Sequence, residues 1–170
     1  MMRTPISTHI PRSHLLLMAL TLSVTASACG KKNKADNKGP KEHQVKAVGV
    51  KVTAPSDWEM QKRGSRWLLK SGVLGVFFSR HPGTAPKTPK EAAASLSSSK
   101  IVEQETLAGG AIYLFYKMTF PTRKGSKPMV LDFIRVILPL DKGYALCTVQ
   151  LTSADQKAPL AKICKSMKKI

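Results

Sequence analysis

Sulfur is the main chemical resource of this 170-residue chain, whose three cysteines are Cys29, Cys147 and Cys164. A thiol can take a lipid or close a disulfide. Cys29 directly follows Ala26-Ser27-Ala28, the small-residue exit of an apolar run from Leu15 to Ala28. Arg3 and Arg12 precede that run. A charged start, a short apolar stretch and small residues describe a secretory leader. The run is shorter than the roughly 20 apolar residues that cross a hydrocarbon core. With Cys29 assigned to lipid, Cys147 and Cys164 remain as a pair in an oxidising compartment, where disulfides persist. The alternative is two buried free thiols.

A cysteine placed directly after small residues resembles the lipobox of bacterial lipoproteins, although Ala26 stands where that pattern prefers Leu. The resemblance implies that Cys29 is lipidated and becomes the first residue of the mature chain. Gly30, rather than Asp, follows it. In well-studied envelopes that leans towards the outer membrane. The expected organisation is a leader over 1–28, a lipidated basic tether over 29–47 and one domain over 48–170. The segment 30–47 has six lysines against two acids and no apolar period. Such a stretch buries too little surface to offset its ordering entropy.

Other chemistry is thin. His43 and His81 are the histidines beyond the leader, and neither has a Cys, His or carboxylate at metal-ligand spacing. His43 falls in the tether and His81 in a loop before Pro82. Ser97-Ser98-Ser99-Lys100 matches the Ser-x-x-Lys of penicillin-binding enzymes, and Lys70-Ser71-Gly72 resembles their Lys-Thr-Gly. Here the second motif precedes the first, and no Ser-Asp-Asn lies between them. Gly72-Val73-Leu74-Gly75 lacks the spacing of a dinucleotide loop. Glu103 and Glu105 share one strand face, where solubility of an edge is a simpler role than paired-carboxylate catalysis. Trp58 is expected to plug the core. The best interaction candidate is the loop 121–128, whose Arg123, Lys124 and Lys127 suit an anion; an ordinary exposed hairpin loop explains it as well. No cofactor is expected.

Twenty-eight basic residues oppose ten acidic ones, a formal charge of +18, and only Arg3 and Arg12 leave with the leader. Export and the scatter of these cations argue against nucleic acid, leaving an anionic membrane surface or polymer as a partner class.

The elements that must position these residues follow from periodicity. Val48, Val50 and Val52 alternate with polar residues, as in a half-buried strand. Strands are expected over 66–70 and 73–80, around the turn Ser71-Gly72. Thr88-Pro89-Lys90-Glu91 predicts a capped helix to about Leu96. Strands over 101–107, 111–120, 129–138 and 143–152 follow. A terminal helix comes after Ser153, with its first turn broken near Pro159. Leu160, Ile163, Cys164 and Met167 form one stripe on it. Cys147 lies on the more apolar face of the last strand, so a helix folding back over that face brings Cys164 to it.

Ala54-Pro55-Ser56-Asp57-Trp58 after the first strand, the Thr-Pro-Lys-Glu helix start, the Ala108-Gly109-Gly110 turn and the ending Ile163-Cys164-Lys165-Ser166-Met167-Lys168 resemble, in that order, the PsbP-like fold over residues 48–170. That family includes an extrinsic photosystem II subunit, a nuclear import factor and bacterial lipoproteins. The resemblance implies an α+β fold, an antiparallel sheet of about six to seven strands covered by two or three helices. It also implies binding rather than catalysis, and it carries over no site residue. The expectation is a non-enzymatic binding or assembly module, held by Cys29 at a membrane of the bacterial envelope. Its partner class is an envelope protein or anionic polymer. The alternatives are a small envelope enzyme with an unadvertised site, or a structural lipoprotein that binds anionic polymer or lipid through its basic surface.

Overall fold

A computed structural model describes residues 39–122 and 126–170. Ten strands and two short helices follow one another: β1 (Pro40–Val45), β2 (Val50–Pro55), β3 (Glu59–Arg63), β4 (Arg66–Ser71), β5 (Leu74–His81), α1 (Pro89–Ala94), β6 (Ser99–Thr106), β7 (Ile112–Phe120), β8 (Met129–Pro139), β9 (Tyr144–Leu151), α2 (Lys157–Lys165) and β10 (Lys168–Lys169). They make an antiparallel seven-stranded sheet, ordered β3-β4-β5-β9-β8-β7-β6, and a three-stranded sheet, ordered β1-β2-β10. The fold is α+β, as the alternating apolar strands imply.

Two cores lie on the two faces of the large sheet. Because side chains alternate along a strand, Ile134, Val136 and Leu138 of β8 point to one face with Cys147 and Val149 of β9. There they meet Val50, Val52 and Ala54 of β2 and Leu160, Ile163 and Cys164 of α2. Trp58 joins this core at 8% exposure. Tyr116 and Ile137 turn to the opposite face, where Ala92 and Leu96 from the α1 region cover them.

Cys147 and Cys164 are disulfide-bonded, with Cα atoms 5.7 Å apart. Both are fully buried. The stripe expected on the terminal helix is the buried one, and Met167 just beyond it is buried too. Pro159 is the third residue of α2, within the first turn, where a missing N–H costs no intrahelical bond. Thr88 caps α1: its Oγ1 accepts from the Glu91 N–H at 3.2 Å. The Glu91 carboxylate accepts from the Lys87 N–H at 2.7 Å, one residue earlier than a regular capping box.

Two expectations need correction, and two further strands were not foreseen. Residues 40–45, assigned by charge to the tether, form an edge strand paired along its full length with β2. Its polar side chains stay exposed while the ladder satisfies its backbone and Val45 anchors it in the core. The polar edge strand β3 carries no apolar alternation either. Lys168 and Lys169, just past the terminal helix, pair with Lys51 and Val50 as a short third strand. His81 is the last residue of β5 rather than part of a loop.

Among the described residues, no helix is long and apolar enough to cross a membrane.

Candidate binding face

The face of the large sheet that carries α1 is only partly covered. The helix packs over β6 and β7. Beyond it, the same face of β5, β9 and β8 presents Phe77, Leu146, Thr148, Phe133 and Arg135, all half-buried or exposed. Phe77 is 36% exposed.

Arg135 sits mid-strand on this face. Its cross-strand neighbours are Leu114 on β7 and Thr148 on β9, so no acid stands opposite it. Its guanidinium carbon lies 5.5 Å from the centre of the Tyr116 ring, a cation–π arrangement. Tyr116 also stacks on Phe133, with centroids 5.5 Å apart. Burial raises the Tyr116 hydroxyl pKa, and the charge and hydrogen bond of Arg135 pull it back. The Arg135 Nε is sealed from solvent with no hydrogen-bond partner. Every ion pair among the described residues uses a lysine instead.

A cleft of about 480 Å³ opens at this position, with Arg135, Ile137, Tyr144 and Leu146 as its floor and the 84–87 loop and Glu91 as its wall. Beside the floor, Ser79 Oγ and His81 Nε2 are 2.9 Å apart. They are two apart on β5 and so share a side of the sheet. The His81 ring stacks on Tyr144 at 5.2 Å. The 2.9 Å between Ser79 and His81 is a nucleophile-and-base distance. No hydrogen bond or ion pair joins His81 to a carboxylate among the described residues, so the third, orienting member of a triad is missing.

On the other face, Glu103 and Glu105 do more than keep an edge soluble. Glu103 pairs with Lys157 and Glu105 with Lys165, both from α2. The same ammonium groups lie 4.1 Å from the Phe115 ring centre and 4.0 Å from that of Tyr113. Phe115 and Tyr113 are the cross-strand neighbours of those glutamates. Two Glu–aromatic–Lys stacks therefore clamp α2 to the sheet. Burial, then the charges of Glu103 and Glu105, push the Tyr113 pKa up to about 12.

The other sequence-predicted positions scatter. Cys29, Arg123 and Lys124 lie outside the described residues. Lys127 is exposed in a loop that Thr122 closes by donating to the carbonyls of Ser126 and Lys127. Ser97 and Lys100 are exposed and line no cleft with Ser71. His43 is on β1, its Nε2 3.2 Å from the Pro55 carbonyl. Among the described residues, no group of His, Cys, Asp or Glu is placed to hold a metal.

No protein-family model matches the chain, and no curated protein matches it. Among solved structures, it is similar to a crystal structure of a protein from Bacteroides thetaiotaomicron VPI-5482. That likeness has a TM-score of 0.53 at 13% identity over 78% of this chain. The match spans about half, 49%, of the other protein's length. At that identity it supports the fold alone.

Proposed function

We propose that this chain is a lipid-anchored protein of the bacterial envelope whose folded domain binds a partner or ligand and does no catalysis. The observation that carries the binding part is the half-covered sheet face around Arg135, where aromatic and apolar side chains flank a cation with no acid across the ladder. A sheet face left open between a helix and an edge is a natural place for a ligand. The leader and Cys29 support the anchor, and a buried disulfide suits an oxidising compartment. The same reading places the domain in the PsbP-like family, on the order of its turns and strands.

Two readouts on one set of cells test it. Cys29→Ser should move the protein from the membrane to the soluble fraction. A photo-crosslinking residue at position 77, on the open face, should give an envelope adduct that the same residue at position 130 does not. Unchanged membrane retention sinks the anchor; equal adducts at both positions sink the binding face.

The Ser79–His81 contact favours a second reading, a small hydrolase. Covalent labelling by an organophosphonate, abolished in Ser79→Ala, would select it over binding. Salt-sensitive retention on anionic polymer, weakened by substituting Arg123, Lys124 and Lys127, would select the structural lipoprotein instead.

A further inference from the structure

We infer that the cleft beside α1 is a binding site for a small organic monocarboxylate, gripped by Arg135. This rests on the binding reading above and gives it a ligand class. A guanidinium drawn out of water needs compensation, and a carboxylate is the group that fits its planar fork with two parallel hydrogen bonds. Among the described residues no carboxylate pairs with Arg135, which hydrogen-bonds the Tyr116 hydroxyl instead. Its neighbours across the ladder are Leu114 and Thr148, its other contact is the neutral Tyr116, and its Nε is both buried and unpartnered. The guanidinium lines the cleft while its Nε is sealed beneath the surface, so a ligand carboxylate would pair end-on with the terminal nitrogens.

The cleft's charge sets the ligand's charge. Its charged lining is Arg135, Lys87 and Glu91. Glu91 already holds the Lys87 backbone N–H through one carboxylate oxygen, so it is committed to the start of α1. One net positive charge remains, which matches a monoanion better than a phosphate dianion. The rest of the floor sets the ligand's body. Ile137 is buried, Leu146 half-buried, and Tyr144 is fixed by its stack on His81. These surfaces take a flat or branched apolar group rather than a sugar. A volume of about 480 Å³ lies within the range of small-ligand sites.

The test is a titration of the chain as the cell produces it, followed by NMR of the arginine Nε–H and of methyl groups. The probes are benzoate and 4-methylpentanoate, with benzamide as the neutral isostere of the first and inorganic phosphate as the competing anion. Saturable shifts of the Arg135 Nε–H and the Leu146 methyls are expected with both carboxylates, at millimolar affinity or tighter. Benzamide should bind at least about tenfold more weakly, since a charge-assisted pair is lost. Arg135→Gln should weaken both carboxylates by a similar factor, and Lys41→Ala, exposed on β1 of the small sheet, should not. If Arg135→Gln fails to fold, the Arg135 Nε–H shift in the natural chain decides. Equal binding of benzamide, binding of phosphate alone, or no saturable shift with either carboxylate overturns the inference. The crosslinking readout at position 77 is independent of all three outcomes, so a failed ligand class is distinguishable from a failed binding face.

Discussion

Cutting the link between Cys147 and Cys164 gives a sharp test of how the core is held. The bridged residues are 17 apart in sequence. Closing a loop of that size stabilises the folded state by about 3 kcal/mol in the chain-entropy model. Both side chains are fully buried, so truncation to Ala also deletes apolar contact worth about 1 kcal/mol per site. Cys147→Ala should then cost about 4 kcal/mol, Cys164→Ala about the same, and the double variant about 5 kcal/mol. Either single change already removes the crosslink, so the second adds only its own contact. Unlinked thiols would give about 1 kcal/mol each and about 2 together. Urea unfolding without reductant, read by tryptophan fluorescence, measures all three. A double variant whose loss equals the sum of the singles refutes the crosslink. For a domain of this size, losing the bridge should lower Tm by roughly 10 °C.

Two further expectations concern single side chains. The unfolded Tyr113 hydroxyl loses its proton near pH 10, whereas the folded one keeps it to about 12. Its contribution is thus fully present below pH 10 and is lost as pH rises to 12, by on the order of 2–3 kcal/mol. Tyr113→Phe should flatten that part of the stability profile, and an unchanged slope would exclude Tyr113 as its source. Gly143 has φ +83°, and an added Cβ would lie 2.1 Å from the His81 carbonyl oxygen. Gly143→Ala should therefore cost more than about 2 kcal/mol in thermal or urea unfolding. Gly64→Ala, at φ +59° in open space, should cost only about 1 kcal/mol. Equal losses would show that the close approach to His81 is unimportant.

Apolar alternation made β2, β4, β5 and β7 to β9 legible from sequence, because each buries one or both faces. Thr88 and Glu91 marked the start of α1 through their hydrogen-bonding chemistry. The face pattern of β9 and the stripe on α2 brought Cys147 to Cys164. Of the edge strands, β6 was legible and the other three were not. β1, β3 and β10 gain their place from backbone pairing, and Lys41, Glu59 or Lys168 carries no sign of that in its side chain. The open face was hidden for a different reason. In the sequence Arg135 merely interrupts the apolar run 133–140. A lone arginine at an alternating position of a buried strand was the available signal. Ser79 and His81 escaped because β5 continues to His81, and only that extension puts both on one side. The roles of Glu103 and Glu105 depend on lysines contributed by α2 from far along the chain.

The small sheet has a kinetic corollary. β2 is completed by β1 from one end of the described chain and by β10 from the other, and the Ile170 N–H closes onto the Gly49 carbonyl at 3.2 Å. Its last hydrogen bonds therefore wait until residues 168–170 have been made. Pairings so remote in sequence raise contact order and slow folding. A nascent chain that stays open until residues 168–170 are made would remain threadable through a translocation pore, and deleting those residues should leave β2 with a bare edge.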